Sequence, residues 1–328
     1  MSDIAIIGSG IAGLFSALKL ANAGHEVTVI TKQRLKDSST NWAQGGIAGI
    51  LDKTDIGAKE SHIEDTLKSG DGLCNESMVR EVIEGAAECI FELVNIGVQF
   101  EKNQQGEFKL AKEGGHTERR ILHAKDATGR EIERALTEAA KNHNNISLMR
   151  NTLAIDLIQR DYGNPEQGVC GVWCLDQKSR EVITVKADSV IIATGGVGQL
   201  WSKTTNPGVA TGDGVAMAYR CGAAVKDMAF IQFHPTALTV KNDRPFLITE
   251  ALRGEGGVIL DKQGLAMWQK DCQTAKQLGQ EVPAPSNYSF TLEFSKLGSM
   301  ATRDIVARAI DDNLKKTGEQ KVFLVTSH

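Results

Sequence analysis

Residues 4–13, IAIIGSGIAG, decide the fold. Ile4 to Ile7 reads as a buried strand, and Gly8, Gly10 and Gly13 follow in GxGxxG spacing. Leu14 to Ala23 reads as a helix closed by Gly24, with a second strand over Val27 to Ile30. The result is a βαβ unit carrying a dinucleotide fingerprint in the strand–turn–helix context that such a fingerprint requires. Its glycines permit a tight turn and bring a pyrophosphate close to a helix N-terminus, where free N–H groups and the positive dipole end bind an anion. The acidic residue that would hold ribose hydroxyls at the end of the second strand is missing, since the strand runs into Thr31-Lys32, and a plain NAD reading is weakened.

Outward from this turn, the rest of the chain fits the same class. A length of 328 residues, 41% of them hydrophobic, suffices for one large or two ordinary domains. Thirty-three glycines against six prolines favour an α/β protein with many tight turns. A formal charge of −4 offers no broad basic field for nucleic acid. No stretch reaches the roughly eighteen apolar residues of a membrane span, and the N-terminus lacks the pattern of a secretory signal. A cytoplasmic location with no membrane partner is therefore expected. The cysteines at 74, 89, 170, 174, 221 and 272 are scattered, which fits reduced thiols. Cys170 and Cys174 lie in the strand-like VCGVWCL, roughly 13 Å apart, so two buried thiols are a better reading than a metal site.

Asn75 or Ser77 caps an expected helix reaching about Asn95, and a further helix is expected over Glu131 to Lys141. Strands are expected over Ile146 to Ile158, Val169 to Leu175, Val182 to Val185 and Val190 to Ala193, the last running into Thr194-Gly195-Gly196. The character changes near Asp227, which predicts domains over 1–227 and 228–328. Lys262 to Ser299 reads as a polar stretch, RDIVARAIDDNLKK as a helix, and the final VFLVTSH as a strand with nothing after it to close a sheet.

Between these elements lies EGGHTERRILHAKDATG, residues 113–129, too polar and glycine-rich for core. It reads as a substrate loop: the glycine pair lets backbone approach a ligand, Glu113 supplies an anion, and Arg119, Arg120 and His123 supply donors for carboxylates or phosphates. His234 in QFHP is a candidate carboxylate donor, against the ordinary fate of a lone core histidine. Arg303 opens a helix, where the dipole disfavours a cation, and this misplacement predicts a specific anionic partner. Glu250 and Arg253 read equally well as a structural ion pair, and Lys315 and Lys316 as solvated cations closing a helix.

In order, IIGSGIAGL, STNWAQGGIA, EGGHTERRILHAKDATGRE, ATGG, TTNPGVATGDGVAMA, QFHPTAL, LITEALRGEGG and RDIVARAID resemble segments of the succinate dehydrogenase and fumarate reductase flavoprotein superfamily, and within it the L-aspartate oxidase family. The resemblance implies a Rossmann-like α/β FAD-binding domain with an α+β capping domain, C-terminally incomplete in this chain. It implies non-covalent FAD, held by Ser9, Gly10, Ile11, Ala12, Lys32, the run Ser39, Thr40, Asn41, Trp42, Ala43, Gln44, Gly45 and Gly46, the backbone near Leu153 and Ala154, and Asp213. It implies substrate contacts from Glu113, His234 and Thr249, with Arg303 transferring a proton.

The implied reaction is oxidation of L-aspartate to iminoaspartate with oxygen or fumarate as acceptor, the first step of NAD synthesis through quinolinate, with quinolinate synthase as a pathway partner. No metal ligand set is expected. A succinate dehydrogenase or fumarate reductase flavoprotein is disfavoured on two counts: Ser39 stands where those proteins carry the histidine joined to FAD, and Glu113 where they carry an apolar aromatic residue. A catalytically silent FAD-binding fragment is the second alternative.

Overall fold

The computed structural model describes residues 2–125, 127–238 and 245–326, so Asp126 of the polar loop and the last two residues of VFLVTSH lie outside the described residues. In chain order the strands are β1 (Ser2–Ile7), β2 (Val27–Thr31), β3 (Ile47–Ala48), β4 (Leu110–Ala111), β5 (Ile121–Leu122), β6 (Ile146–Arg150), β7 (Thr152–Gln159), β8 (Val169–Asp176), β9 (Val182–Ile192), β10 (Ala237–Leu238), β11 (Phe246–Leu247), β12 (Val258–Leu260) and β13 (Phe323–Val325). The helices are α1 (Ile11–Asn22), α2 (Ile56–Ser69), α3 (Glu76–Ile96), α4 (Thr128–Lys141), α5 (Asp213–Arg220), α6 (Ala251–Gly254), α7 (Lys262–Leu278) and α8 (Arg303–Thr317).

Two compact units form, each from separated segments: residues 1–46, 90–101 and 124–230 in one, and 47–89, 102–123 and 231–328 in the other. A single cut after residue 227 does not describe this division. Residues 47–48 and 110–111 both pair with β5, and the turn that follows Lys112 lies against Gly254, so these early segments belong with the late one.

The first unit is an α/β fold on a six-stranded sheet of order β6-β2-β1-β9-β8-β7. Neighbours from β6 to β9 run parallel, and β9, β8 and β7 form an antiparallel meander. β1 has four consecutive buried residues, Ile4 to Ile7, as a central parallel strand covered on both faces requires. On α1 the buried positions Leu14, Ala17, Leu18 and Ala21 recur at helical spacing and make one apolar stripe. Burying a leucine completely, as at Leu14, stabilises by roughly 1.5–3 kcal/mol. The core continues through Ala5, Ile7, Ile30, Ala154, Val172, Cys174 and Met217. Cys174 is buried as expected, and burial pushes its thiol up to about 11, whereas Cys170 is only partly buried.

Two strand boundaries differ from expectation. The single strand expected over 146–158 is broken at Asn151, whose φ of 54° lets the chain turn between β6 and β7, a left-handed conformation that asparagine tolerates. Conversely, 182–192 is one continuous strand, because the polar residues Lys186 and Asp188 alternate outward in an otherwise paired β9.

The second unit holds three small sheets, β3-β5-β4, β10-β11 and β12-β13. Its core gathers Ile259, Phe290, Ala301, Val306 and Ala309, packing α8 against β12. The polar stretch from Lys262 contains a 17-residue helix, α7, capped by Asp261, whose side chain accepts from the Gly264 N–H, and closed by Gly279 at φ 64°. The terminal strand is not left open: β13 pairs antiparallel with β12, Val258 facing Val325.

Candidate functional site

In the first unit the fingerprint turn is built around contacts that exclude side chains. A Cβ on Gly8, whose φ is +120°, would collide with the Ala193 carbonyl oxygen, and one on Gly13 would collide with the Gly8 carbonyl. The end of β1 therefore lies directly against the chain leaving β9. Gly10, the residue before α1, has no side chain to cap the helix, and the first turn holds no acidic residue, so the positive end is not neutralised by its own first turn. Thr40 fixes the approach by accepting from the Ile11 N–H at 3.0 Å.

Above this turn opens a cavity of about 630 Å³. Ser9, Gly10, Ile11, Ala12, Lys32, Ser39, Thr40, Leu153, Ala154 and Asp213 all line it. The Ser9 hydroxyl is turned inward, donating to Leu35 O and meeting the Thr31 hydroxyl, each at 3.0 Å, so Ser9 offers its backbone to the cavity. Lys32 and Asp213 meet at 2.5 Å, and Thr211 bonds both. Burial favours the neutral Asp213 acid, but the Lys32 and Thr211 hydrogen bonds outweigh it and hold the carboxyl below its usual range.

Asn41, Trp42, Ala43, Gln44, Gly45 and Gly46 do not line this cavity. Ala43 instead receives the Gly129 N–H on its carbonyl, at 3.0 Å, and joins the start of α4 to this segment. Gln44 Oε1 is buried with no hydrogen-bond partner. The cavity also takes in Ser38, and Thr194 and Gly195 from the ATGG turn, the last two of which sequence reasoning had not placed among the cofactor contacts. The signal for those two was the glycine pair after an apolar strand. Beneath the cavity, Ser38 Oγ donates to Glu133 at 2.9 Å, and burial pushes the Glu133 carboxyl up to about 7 against that hydrogen bond.

In the second unit the charged residues converge on α6. Arg303, at the first position of α8, donates through Nε and Nη2 to Glu250 Oε2, both at 2.5 Å, and through Nη1 to Gln232 Oε1 at 3.1 Å. The anionic partner expected for Arg303 is thus a residue of this same unit. Glu250 Oε1 accepts from Arg253 Nη2 at 2.5 Å, and Arg253, fully buried, also donates to Ser299 O. One buried carboxylate accordingly bridges two guanidiniums, and only Arg303, with a third of its side chain exposed, reaches solvent. Glu250 and Arg253, readable from sequence as a plain ion pair, are part of the cluster that holds Arg303.

His234 is half-buried, and its Nδ1 accepts from the Thr236 N–H at 3.3 Å, which leaves the proton of the neutral ring on Nε2. Burial first, and the Arg303 charge second, hold its pKa down to about 4, against the opposing pull of Glu250. Thr249 Oγ1 accepts from the Ala251 N–H at 3.4 Å at the start of α6. Glu113 lies on the loop that packs on this helix: a Cβ on Gly114 would come within 2.9 Å of Glu250 Oε1, and one on Gly254 within 3.7 Å of Glu113 Cα. The glycine at 114 makes room for Glu250.

The expectation that Arg120 offers donors to a ligand is corrected. Its side chain is 1% exposed and is committed to Asp65 at 2.8 Å, with Ile121 and Leu122 following as a buried strand. Arg119 faces solvent beside Glu255 at 3.5 Å. Among the described residues no group of three or more His, Cys, Asp and Glu side chains is placed to hold a metal ion.

A family model for the FAD binding domain matches residues 3–328. The chain belongs to the FAD binding domain family. Among curated proteins this FAD-binding chain is similar to the chloroplastic L-aspartate oxidase of Oryza sativa subsp. japonica, 41% identical, covering 99% of the chain and 48% of that protein. It is also similar to L-aspartate oxidase 1 of Ralstonia nicotianae, 41% identical, covering 99% of the chain and 57% of that protein. Among solved structures it resembles a mutant FrdA of E. coli quinol fumarate reductase, with TM-score 0.82 and 27% identity over 100% of the chain and 53% of that one. The chain spans about half the length of the curated relatives it matches.

FAD fits the first unit. The α1 N-terminus, with no acidic residue in its first turn, suits its pyrophosphate, and Gly195, on the cavity wall, has no atom within 4 Å where a Cβ would stand. The residues lining the cavity include no histidine, cysteine or tyrosine, so they offer none of the usual side chains for a covalent link, in agreement with Ser39 at its edge.

Proposed function

We propose that this chain is the cofactor- and substrate-binding part of an L-aspartate oxidase. It would convert L-aspartate to iminoaspartate with oxygen or fumarate as acceptor, opening the route through quinolinate to NAD, with quinolinate synthase as the next partner and the cytoplasm as its place. The observation that carries this reading is the cluster on α6: two guanidiniums against one buried carboxylate, with a neutral imidazole and the Glu113 loop beside them. The names of the curated relatives support it.

Surplus positive charge at Arg303 suits a carboxylate, as do the Nε2–H of His234 and the hydroxyl of Thr249. Glu113 adds a carboxylate suited to an ammonium, which an amino dicarboxylate has and succinate lacks. Bound FAD supplies the acceptor for the hydride that leaves Cα. The proton leaving the amino group is relayed through Arg303: the guanidinium, which holds its full set of protons and cannot take up another, gives one to the Glu250 carboxylate in contact with it and receives the amino proton in its place.

Two assays on the complete polypeptide with FAD test this. Peroxide formed from L-aspartate in air, and succinate formed from fumarate without oxygen, should both be observed. Glu113→Gln should lower kcat/KM for aspartate by about 10- to 150-fold while affecting fumarate reduction far less, as loss of one charge-assisted hydrogen bond requires. Flavin binding with no turnover of aspartate by the wild type would leave a binding protein instead.

A further inference from the structure

The loop that carries Glu113 has almost no structure of its own. Its one internal backbone bond runs from the His116 N–H to Glu113 O at 3.2 Å, and Gly115 sits at φ +84°. Besides its packing on α6 and a bond from Lys112 Nζ to Thr117 O at 2.8 Å, it is held by a network rooted in α2. Asp65 Oδ2 accepts from Thr117 N at 2.8 Å, from Thr117 Oγ1 at 3.0 Å and from Arg120 Nη1 at 2.8 Å. Arg120 Nη2 reaches Ser61 Oγ at 3.1 Å, and Ser61 meets Thr117 Oγ1 at 3.0 Å.

We infer that Asp65 and Arg120 are positioning residues that aim the Glu113 carboxylate and so set the preference for an amino dicarboxylate over a simple one. The inference rests on the function proposed above. Three donors on one carboxylate oxygen define where Thr117 stands, and Glu113 is four residues away through a glycine pair that cannot define its own path. Arg120 backs this oxygen from inside: its planar fork joins Asp65 and Ser61, both on α2, to the first residue of the buried segment that continues into β5. The surroundings are built to keep the pair ionic. His62 and His116, with ring centroids 5.6 Å apart, are both held below the ordinary imidazole range, by burial first and by the Arg120 charge second. They stay neutral and do not compete for Asp65.

A positioning role predicts selective damage. In the complete polypeptide with FAD, Asp65→Asn should raise KM for L-aspartate by about tenfold or more, with kcat for fumarate reduction changed less than about twofold. Arg120→Lys should fall between wild type and Asp65→Asn, because a lysine keeps the charge but not the fork. Since these two groups are buried, Ser61→Ala serves as a variant that removes one hydroxyl; it should shift KM for aspartate in the same direction by about two- to threefold. Equal losses of aspartate oxidation and fumarate reduction across the three variants would overturn the inference, and so would an unchanged KM in folded Ser61→Ala and Asp65→Asn. A wild type that oxidises no aspartate overturns the proposed function and takes this inference with it, whereas an active wild type with unselective variants overturns this inference alone.

Discussion

The cofactor cradle and the charged cluster on α6 solve opposite problems. The cradle binds with backbone: its glycines bring Gly8 against Ala193 and Gly13 against Gly8, and the one strong ion pair on its wall, Lys32 with Asp213, remains partly open to water. The α6 cluster binds with side-chain charge, and its central carboxylate is 5% exposed between two guanidiniums. A site made of backbone tolerates changes of side chain but no added Cβ, whereas a site made of buried charge depends on every member being present.

The sharpest way to break this contrast is Glu250→Ala, which leaves the wholly buried Arg253 without its counter-ion. Removal of one partner of a buried pair is expected to lower stability by about 3–5 kcal/mol, read as a drop in the denaturant midpoint. An unchanged midpoint would mean that the cluster is not a charge-balanced unit. Next comes Gly8→Ala, where positive φ and the collision with Ala193 together should weaken folding by about 3 kcal/mol and abolish retention of the yellow chromophore through gel filtration. Retention of flavin at the wild-type ratio would show that the backbone contact is not what forms the cradle.

Glu133 offers a test by pH. Its folded-state pKa, raised to about 7 by burial, lies above the unfolded value, so the folded state holds the proton more tightly. The stability this contributes is fully present below about pH 4.5 and is lost as pH rises through about 7, a change on the order of 3 kcal/mol. Glu133→Gln should flatten that part of the stability-versus-pH curve; an identical slope in the variant would remove Glu133 as its source. The smallest effect is expected from Lys32→Met, below about 1 kcal/mol in unfolding free energy, because the ion pair with Asp213 is partly solvated. A loss as large as that of Glu250→Ala would erase the distinction between the two regions.

Much of the first unit was legible because its signals are local. The fingerprint glycines, the apolar run of β1 and the i, i+3, i+4, i+7 stripe of α1 all lie within a few residues of one another. Cavity-lining Thr194 and Gly195 stood in a recognisable turn but had no chemistry to single them out. The second unit was harder. Asp65 sits in a helix with little apolar periodicity, and its meaning comes from Thr117 and Arg120, 52 and 55 residues later. Arg120 itself read as a donor for a ligand, since nothing adjacent to it in sequence reveals a buried partner. Helix α7 was hidden by its polarity, although Asp261 and Gly279 mark its two ends. Glu250 and Arg303 are likewise separated by 53 residues, so an anionic partner was predictable for Arg303 while its identity was not.

The place of β1 in its sheet has a consequence for synthesis. One edge of β1 is covered by β2 as soon as the first βαβ unit is made, but the other pairs with β9, Ile4 facing Ser189 and Ile7 facing Ile192. At ordinary ribosomal rates the chain between those strands takes on the order of ten to forty seconds to emerge. Throughout that interval the apolar run Ile4 to Ile7 presents an unpaired edge, which is the state in which strands recruit one another. Nascent chains stalled before residue 182 should therefore be chaperone clients and those released after residue 192 should not, so β1, early in its sheet's sequence, waits longest to be made safe.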